Sequence, residues 1–133
     1  MLVGTGIDIV EHKQIERMLK RNESSLQKLL LNKKQQIEFN SLSYNDQINL
    51  LASSLTIKEA AYKAFGSYMG KDFSFLKIEI DNMNGQVTID TSKLGLNISL
   101  SITVTNFCSF TIANVLAFNL KGGERNEYQS NSN

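Results

Sequence analysis

The sequence predicts a single α+β domain in which one long central helix packs on an antiparallel sheet. The chain has 133 residues, of which 41% are hydrophobic, so its length suits one domain with one core. A helical repeat of apolar residues covers the middle of the chain, and alternation of apolar and polar residues marks its start and its last third. We expect the domain to cover residues 1–120 and a disordered tail to follow at 121–133, where apolar residues are scarce.

The first element is a predicted strand over residues 2–10. Its odd-numbered residues are mostly apolar, whereas Asp8 shares the other face with Gly4 and Gly6. A glycine within a strand often marks the close approach of a ligand or of another backbone. Asp8 is therefore a candidate site residue.

The central helix is predicted from about Asp46 to Phe65, where apolar residues recur on one arc. Asn45 or Asp46 suits the N-cap, and Gly66 suits the C-cap. The other elements are shorter. Helical periodicity predicts a helix over 11–21 and one or two more over 22–40. Alternation predicts strands over 76–81, 87–89, 98–105 and 109–118, with a hairpin turn at 82–85 and a short helical turn at 91–96.

A polar cluster interrupts the second half of the central helix. Glu59 and Lys63 are four residues apart and lie together at the edge of the apolar arc. Lys58 projects near the middle of that arc, so its ammonium must find a partner or extend to solvent. The simplest interpretation of Glu59 and Lys63 is an exposed pair worth about 0.3–0.5 kcal/mol.

Composition excludes several classes of function. The net charge of +1 provides no strong field for nucleic acid or a membrane surface. The single cysteine, Cys108, cannot form an internal disulfide, and no zinc-ligand spacing is present. No signal peptide and no apolar run of membrane-spanning length are found, so we expect a cytoplasmic protein.

The residues that remain for chemistry are Asp8 and the cluster of Lys58, Glu59 and Lys63. If Asp8 and Glu59 converge, they provide the one or two carboxylates that Mg²⁺ usually takes beside water and phosphate oxygens. Adjacent lysines would neutralise further phosphate charge. The pattern indicates Mg²⁺-dependent chemistry on a phosphate group, but the sequence alone does not bring the two carboxylates together.

Two motifs resemble the signatures of one family. GTGIDIVE at 4–11 and KEAAYKAFG at 58–66, about 50 residues apart, are similar to those of the holo-acyl-carrier-protein synthases, a family of 4′-phosphopantetheinyl transferases. The resemblance covers about residues 2–118. It implies transfer of 4′-phosphopantetheine from coenzyme A to a serine of an apo acyl carrier protein, with release of adenosine 3′,5′-bisphosphate.

The resemblance also implies roles for individual residues. Asp8 and Glu59 would bind Mg²⁺, and Lys63 would hold a coenzyme A phosphate, so that these three residues form the catalytic set. Further contacts to coenzyme A are implied for Lys58, Gly66 and Ser101.

The resemblance implies assembly and docking as well. Members of this short class form homotrimers with sites between subunits, and their first helix binds the acidic carrier. The positive charge on that helix would come here from Lys13, Arg17, Lys20 and Arg21.

Two departures from the family pattern leave other functions open. Aligning the late Ser-x-Ser/Thr-His pattern with residues 99–102 puts Ile102 where the family has histidine, and Ser53 and Ser54 stand where a basic pair is usual. One alternative is therefore a binding module for coenzyme A and the carrier with impaired turnover. A second is another Mg²⁺-dependent transfer or hydrolysis of a nucleotide phosphate.

Overall fold

The predicted α+β architecture is confirmed in a computed structural model of the chain, which describes residues 1–69, 75, 78–83, 86–89, 91 and 97–120. The elements follow in the order β1 (Leu2–Glu11), α1 (His12–Arg21), α2 (Glu23–Leu30), α3 (Lys33–Glu38), α4 (Tyr44–Met69), β2 (Ile80–Met83), β3 (Gln86–Ile89), β4 (Ile98–Phe107) and β5 (Phe110–Asn119). The predicted tail at 121–133 and most of the predicted turn at 91–96 lie outside the described residues.

Two antiparallel sheets form from these strands. The larger has the order β1-β5-β4, and the smaller pairs β2 with β3. Helix α4 covers one face of the larger sheet, where Ala113, Val115 and Ala117 of the central strand are fully buried. The N-terminal half of α4 packs with α1, α2 and Phe39 in a second apolar cluster. One long helix therefore joins both cores.

Helix α4 lies unusually close to β1. A Cβ atom on Gly4 would fall 1.6 Å from the carbonyl oxygen of Ala64, and one on Gly6 would fall 1.8 Å from that of Ala60. No side chain fits at such distances. The sequence left open whether these glycines admit a ligand or another backbone, and the structure identifies the backbone of α4.

Helix α4 extends further than predicted at both ends. Ser43, rather than Asn45 or Asp46, is its N-cap, because the Ser43 hydroxyl accepts a hydrogen bond from the Asp46 amide at 3.2 Å. Gly66 lies inside the helix and is not a C-cap, since burial of the adjacent Phe65 outweighs the cost of about 1 kcal/mol for a helical glycine. Within the described ranges, no helix is both long and apolar enough to cross a membrane.

A chain of polar side chains ties α1, α4 and the β4-β5 hairpin together. His12 Nε2 lies 2.8 Å from the Thr111 hydroxyl, which in turn donates to Asn106 Oδ1. Asn106 Nδ2 donates to the Ser53 hydroxyl at 3.1 Å. Because the single hydroxyl proton of Thr111 goes to Asn106, His12 Nε2 must be the donor in its own contact.

Gly6→Ala should lower the free energy of unfolding by about 3 kcal/mol, because the new methyl group would overlap the Ala60 carbonyl and force α4 away from β1. Urea denaturation measures the change. Gly66→Ala is the matched control: its methyl group would lie 3.6 Å from the Tyr62 ring, and alanine favours the helix, so stability should be unchanged or slightly higher. Equal stability of the two variants would contradict the close contact.

Candidate functional site

Asp8 and Lys63 meet where α4 crosses β1. Lys63 Nζ lies 2.9 Å from Asp8 Oδ1 and donates a second hydrogen bond to the Ile7 carbonyl oxygen at 3.2 Å. The Asp8 side chain is 18% exposed and that of Lys63 is 50% exposed. The pair is therefore accessible to solvent but anchored on the backbone of β1.

Glu59 lies one turn before Lys63 on α4 and acts on it through its charge. The pKa of Lys63 is raised mainly by the hydrogen bond to Asp8, with further contributions from the charges of Asp8 and Glu59, while partial desolvation opposes the rise. Both carboxylates thus act on one ammonium group. The structure therefore shows a direct contact between Lys63 and Asp8, and the convergence of Asp8 and Glu59 on one cation stays a prediction.

The group fits a divalent cation of the Mg²⁺ type. Asp8 on β1 and Glu59 on α4 provide carboxylates from separate elements, and Mg²⁺ takes its remaining ligands from water or substrate phosphate. Among the described residues, no set of three or more His, Cys, Asp or Glu side chains is placed to hold a metal. A cation bound here would therefore keep several positions for oxygens that the protein does not supply.

Lys58 lies in a different environment. Its side chain is buried, with 5% exposure, and Nζ donates to the Leu29 carbonyl oxygen at 2.8 Å and lies 5.6 Å from the centre of the Phe75 ring. Leu29 belongs to the last turn of α2, where carbonyl groups lack helical partners and a cation is favourable. Lys58 therefore caps α2, and its predicted contact with phosphate stays a prediction that this geometry does not favour.

Burial lowers the pKa of Lys58, and the charge of Glu79 partly opposes the change. Since the pKa of an unfolded lysine is about 10.4, the unfolded chain binds more protons between the folded pKa and that value, and stability rises with pH there. In Lys58→Met this contribution is absent. As pH rises toward about 10.4, the free energy of unfolding of wild type should therefore increase relative to that of Lys58→Met. Urea denaturation across the alkaline range measures both values. A difference independent of pH would contradict burial of the charged form.

Neither Ser101 nor Gly66, both within the described residues, makes a contact with Asp8 of the kind that Lys63 makes. Ser101 pairs with Leu116 on the outer face of the sheet, whereas Asp8 lies on the face covered by α4. Gly66 follows Lys63 on α4, with the Tyr62 ring beside it. Within one chain, Ser101 is therefore separated from Asp8 by the sheet itself, and a shared site would require a second subunit.

The strand register also locates the position across from Asp8. Asp8 pairs with Ala113, and Ala113 pairs with Val104 on the far strand. Ile102 lies one step away, opposite Val115 and Gly6. Both side chains are half-buried against the core. The residue on the same row as Asp8 is thus Val104 and not Ile102, which the family pattern singles out. The sequence did not reveal this, because strand register depends on pairing with distant residues.

The predicted docking helix presents its charges to solvent. Ile15 is fully buried against the core, whereas all four basic residues are exposed, namely Lys13, Arg17, Lys20 and Arg21. Lys20 and Arg21 also lie in the last turn, where a cation stabilises the helix terminus. The basic surface is present, and part of its charge has a structural reason as well.

The outer face of the larger sheet exposes apolar side chains on β1 and β5. Ile7 and Ile9 are 63% and 57% exposed, and Ile112 and Leu116 of the central strand lie beside them. Between them, Asn114 Oδ1 is buried but accepts no hydrogen bond from the described residues. An exposed apolar surface around an unsatisfied polar atom is typical of an interface with another protein chain.

Comparisons with known proteins identify relatives of this chain. A holo-[acyl-carrier-protein] synthase of Geobacillus sp. (strain WCH70) is 33% identical over 116 residues, covering 87% of this chain and 96% of that protein. The same enzyme of Bacillus velezensis is 38% identical over 107 residues, covering 79% of this chain and 88% of that protein.

Solved structures give the same result. The Bacillus anthracis synthase in complex with coenzyme A (3′,5′-ADP) has 29% identity and a TM-score of 0.75, and the match covers 90% of this chain and 98% of that one. The Helicobacter pylori synthase in complex with coenzyme A has 30% identity and a TM-score of 0.67, and the match covers 85% and 98%. The 4′-phosphopantetheinyl transferase superfamily model matches residues 4–115, which include Asp8, Glu59 and Lys63, and the chain belongs to that family.

Proposed function

We propose that this chain transfers 4′-phosphopantetheine from coenzyme A to a serine of an apo acyl carrier protein, using a divalent cation held by Asp8 and Glu59. The observation that carries the proposal is the contact of Lys63 with Asp8 where α4 crosses β1, with the charge of Glu59 raising the pKa of the same ammonium group. Relatives named holo-[acyl-carrier-protein] synthase and related structures with bound coenzyme A support the substrates.

Each residue of the group has a defined task in this reaction. Asp8 and Glu59 would hold the cation, which would supply charge neutralisation for the pyrophosphate of coenzyme A. Lys63 binds a phosphate oxygen through its ammonium group. The carrier serine oxygen forms a bond to the β-phosphorus, the bond from that phosphorus to the bridging oxygen breaks, and adenosine 3′,5′-bisphosphate leaves. The serine proton passes to solvent.

The carrier is expected to bind along α1. An acidic partner fits the exposed charges of this helix, and electrostatic complementarity of this kind mainly raises association rates and specificity. We assign the transferase unit to residues 1–120 and, as the sequence predicts, a cytoplasmic location.

Glu59→Gln should abolish transfer while preserving the fold, because the neutral amide loses a charged cation ligand at nearly constant shape. The assay mixes protein, Mg²⁺, coenzyme A and apo carrier, and mass spectrometry detects the mass gain of the carrier. Glu38→Gln, on the exposed side of α3, is the control and should retain wild-type rates. An unchanged rate in Glu59→Gln would exclude Glu59 as an essential ligand.

One observation favours the alternative of a binding module with impaired turnover. The row of the sheet that contains Asp8 continues through Ala113 to Val104, so it offers no second side chain that can move a proton. This alternative would be supported if the protein binds coenzyme A but none of several apo carrier proteins gains mass. Breakdown of a nucleotide without any carrier would instead support the other Mg²⁺-dependent phosphate chemistry.

The outer face of the sheet supports self-association, and we propose that it forms the subunit contact of a homotrimer. Burial of Ile7 and Ile9 against a second copy would remove apolar area from water, worth roughly 25 cal/mol per Å². The same contact would offer Asn114 Oδ1 a donor. It would also place the outer-face Ser101 of one chain near a neighbouring chain.

Ile7→Arg should reduce the oligomer to monomers, because it places a charge in the centre of the apolar face. Sedimentation velocity measures the assembled mass. Ile37→Arg, at an 81% exposed position on α3 outside this face, is the matched control and should leave assembly unchanged. A trimer that survives Ile7→Arg would place the interface elsewhere.

A further inference from the structure

The Lys63 ammonium lies against Asp8 and the backbone of β1. Nζ lies 2.9 Å from Asp8 Oδ1, close to the 2.7–2.9 Å typical of a charge-assisted hydrogen bond. A further hydrogen bond to the Ile7 carbonyl oxygen fixes the ammonium on the strand side of the group. Glu59 acts on the same ammonium from one helical turn away. A lysine therefore lies where two carboxylates would hold a cation.

We infer that Lys63 competes with the divalent cation for Asp8 in the free protein, and that coenzyme A relieves this competition by offering its phosphate oxygens to the ammonium. Lys63 thereby makes cation binding depend on the phosphate substrate. The inference rests on the proposed function, because it assumes that Asp8 and Glu59 are the cation ligands.

The charge balance supports this coupling. The Asp8 carboxylate and the Lys63 ammonium already neutralise each other in part, so a divalent cation alone would meet an adjacent positive charge at short range. To bind Asp8 fully, the cation must displace Lys63 from it. A bound pyrophosphate changes this balance, because its negative charges stabilise the cation and the displaced ammonium together.

The side-chain environment makes the displacement feasible. Lys63 is half exposed on the surface of α4, so its long side chain can reorient toward solvent or a ligand without disturbing the core. The Asp8 side chain is less exposed, and its position is set by strand β1. Lys58 cannot substitute for Lys63, because its ammonium is buried against the Leu29 carbonyl. Lys63 is accordingly the lysine of α4 that can bind Asp8 in the free protein and a phosphate oxygen once coenzyme A is bound.

The test measures binding of Mn²⁺, an electron paramagnetic resonance probe for the cation, to the isolated protein without coenzyme A. Lys63→Met should bind Mn²⁺ about tenfold more tightly than wild type, since it removes the competing charge at nearly constant side-chain length. Lys33→Met, at an exposed position on α3, removes the same unit of net charge far along the chain and should bind like wild type. Asp8→Asn should weaken binding in either background.

A second titration in the presence of coenzyme A measures the coupling. Coenzyme A should tighten Mn²⁺ binding more in wild type than in Lys63→Met, and Mn²⁺ should tighten coenzyme A binding by the same factors. If Lys63→Met and wild type bind Mn²⁺ equally but Asp8→Asn does not bind it, the competition is wrong and the proposed cation site stands. If Asp8→Asn leaves Mn²⁺ binding unchanged, the cation site of the proposed function fails, and the competition fails with it.

Discussion

The direct contact between the backbone of α4 and the face of β1 is the constraint on which this structure depends. Carbonyl oxygens of Ala60 and Ala64 occupy the space that side chains at Gly6 and Gly4 would need. This contact brings a helix surface within hydrogen-bonding reach of the next residue on the same strand face, Asp8. A helix held farther away would leave Lys63 short of Asp8, so the glycines act on the site through packing rather than through a ligand.

Two lysines of α4 have different partners because they point in different directions from the helix axis. Lys58 and Lys63 are five residues apart, which is about 140° around a helix axis. One points into the protein and caps α2, while the other points to the surface and binds Asp8. Glu59 lies next to Lys58 in sequence, yet it acts on Lys63, because residues four apart share a helix face. Lys58, which supports the packing of α2, is therefore adjacent in sequence to Glu59, which faces the candidate site.

The larger sheet separates two environments in a similar way. Its inner face is closed by α4 and holds Asp8 together with the small residues of β5, whereas its outer face leaves Ile7 and Ile9 in contact with solvent. The central strand contributes to both faces, with Ala113 on the inner side and Asn114 on the outer side. A contact with a second subunit at Ile7 would thus lie one residue along β1 from Asp8.

The sequence alone determined the α+β class, the first strand, the central helix and the two motifs that carry Asp8, Glu59 and Lys63, because periodicity and motif spacing are local properties of the chain. Tertiary structure decided the rest. It assigned the glycines to helix packing, gave Lys58 a partner on α2, and placed Val104 rather than Ile102 on the row of Asp8. These outcomes depend on strand register and on contacts between distant segments, which a single sequence does not encode in any local pattern. The same packing decided that Gly66 lies within a helix that the sequence alone would have ended there.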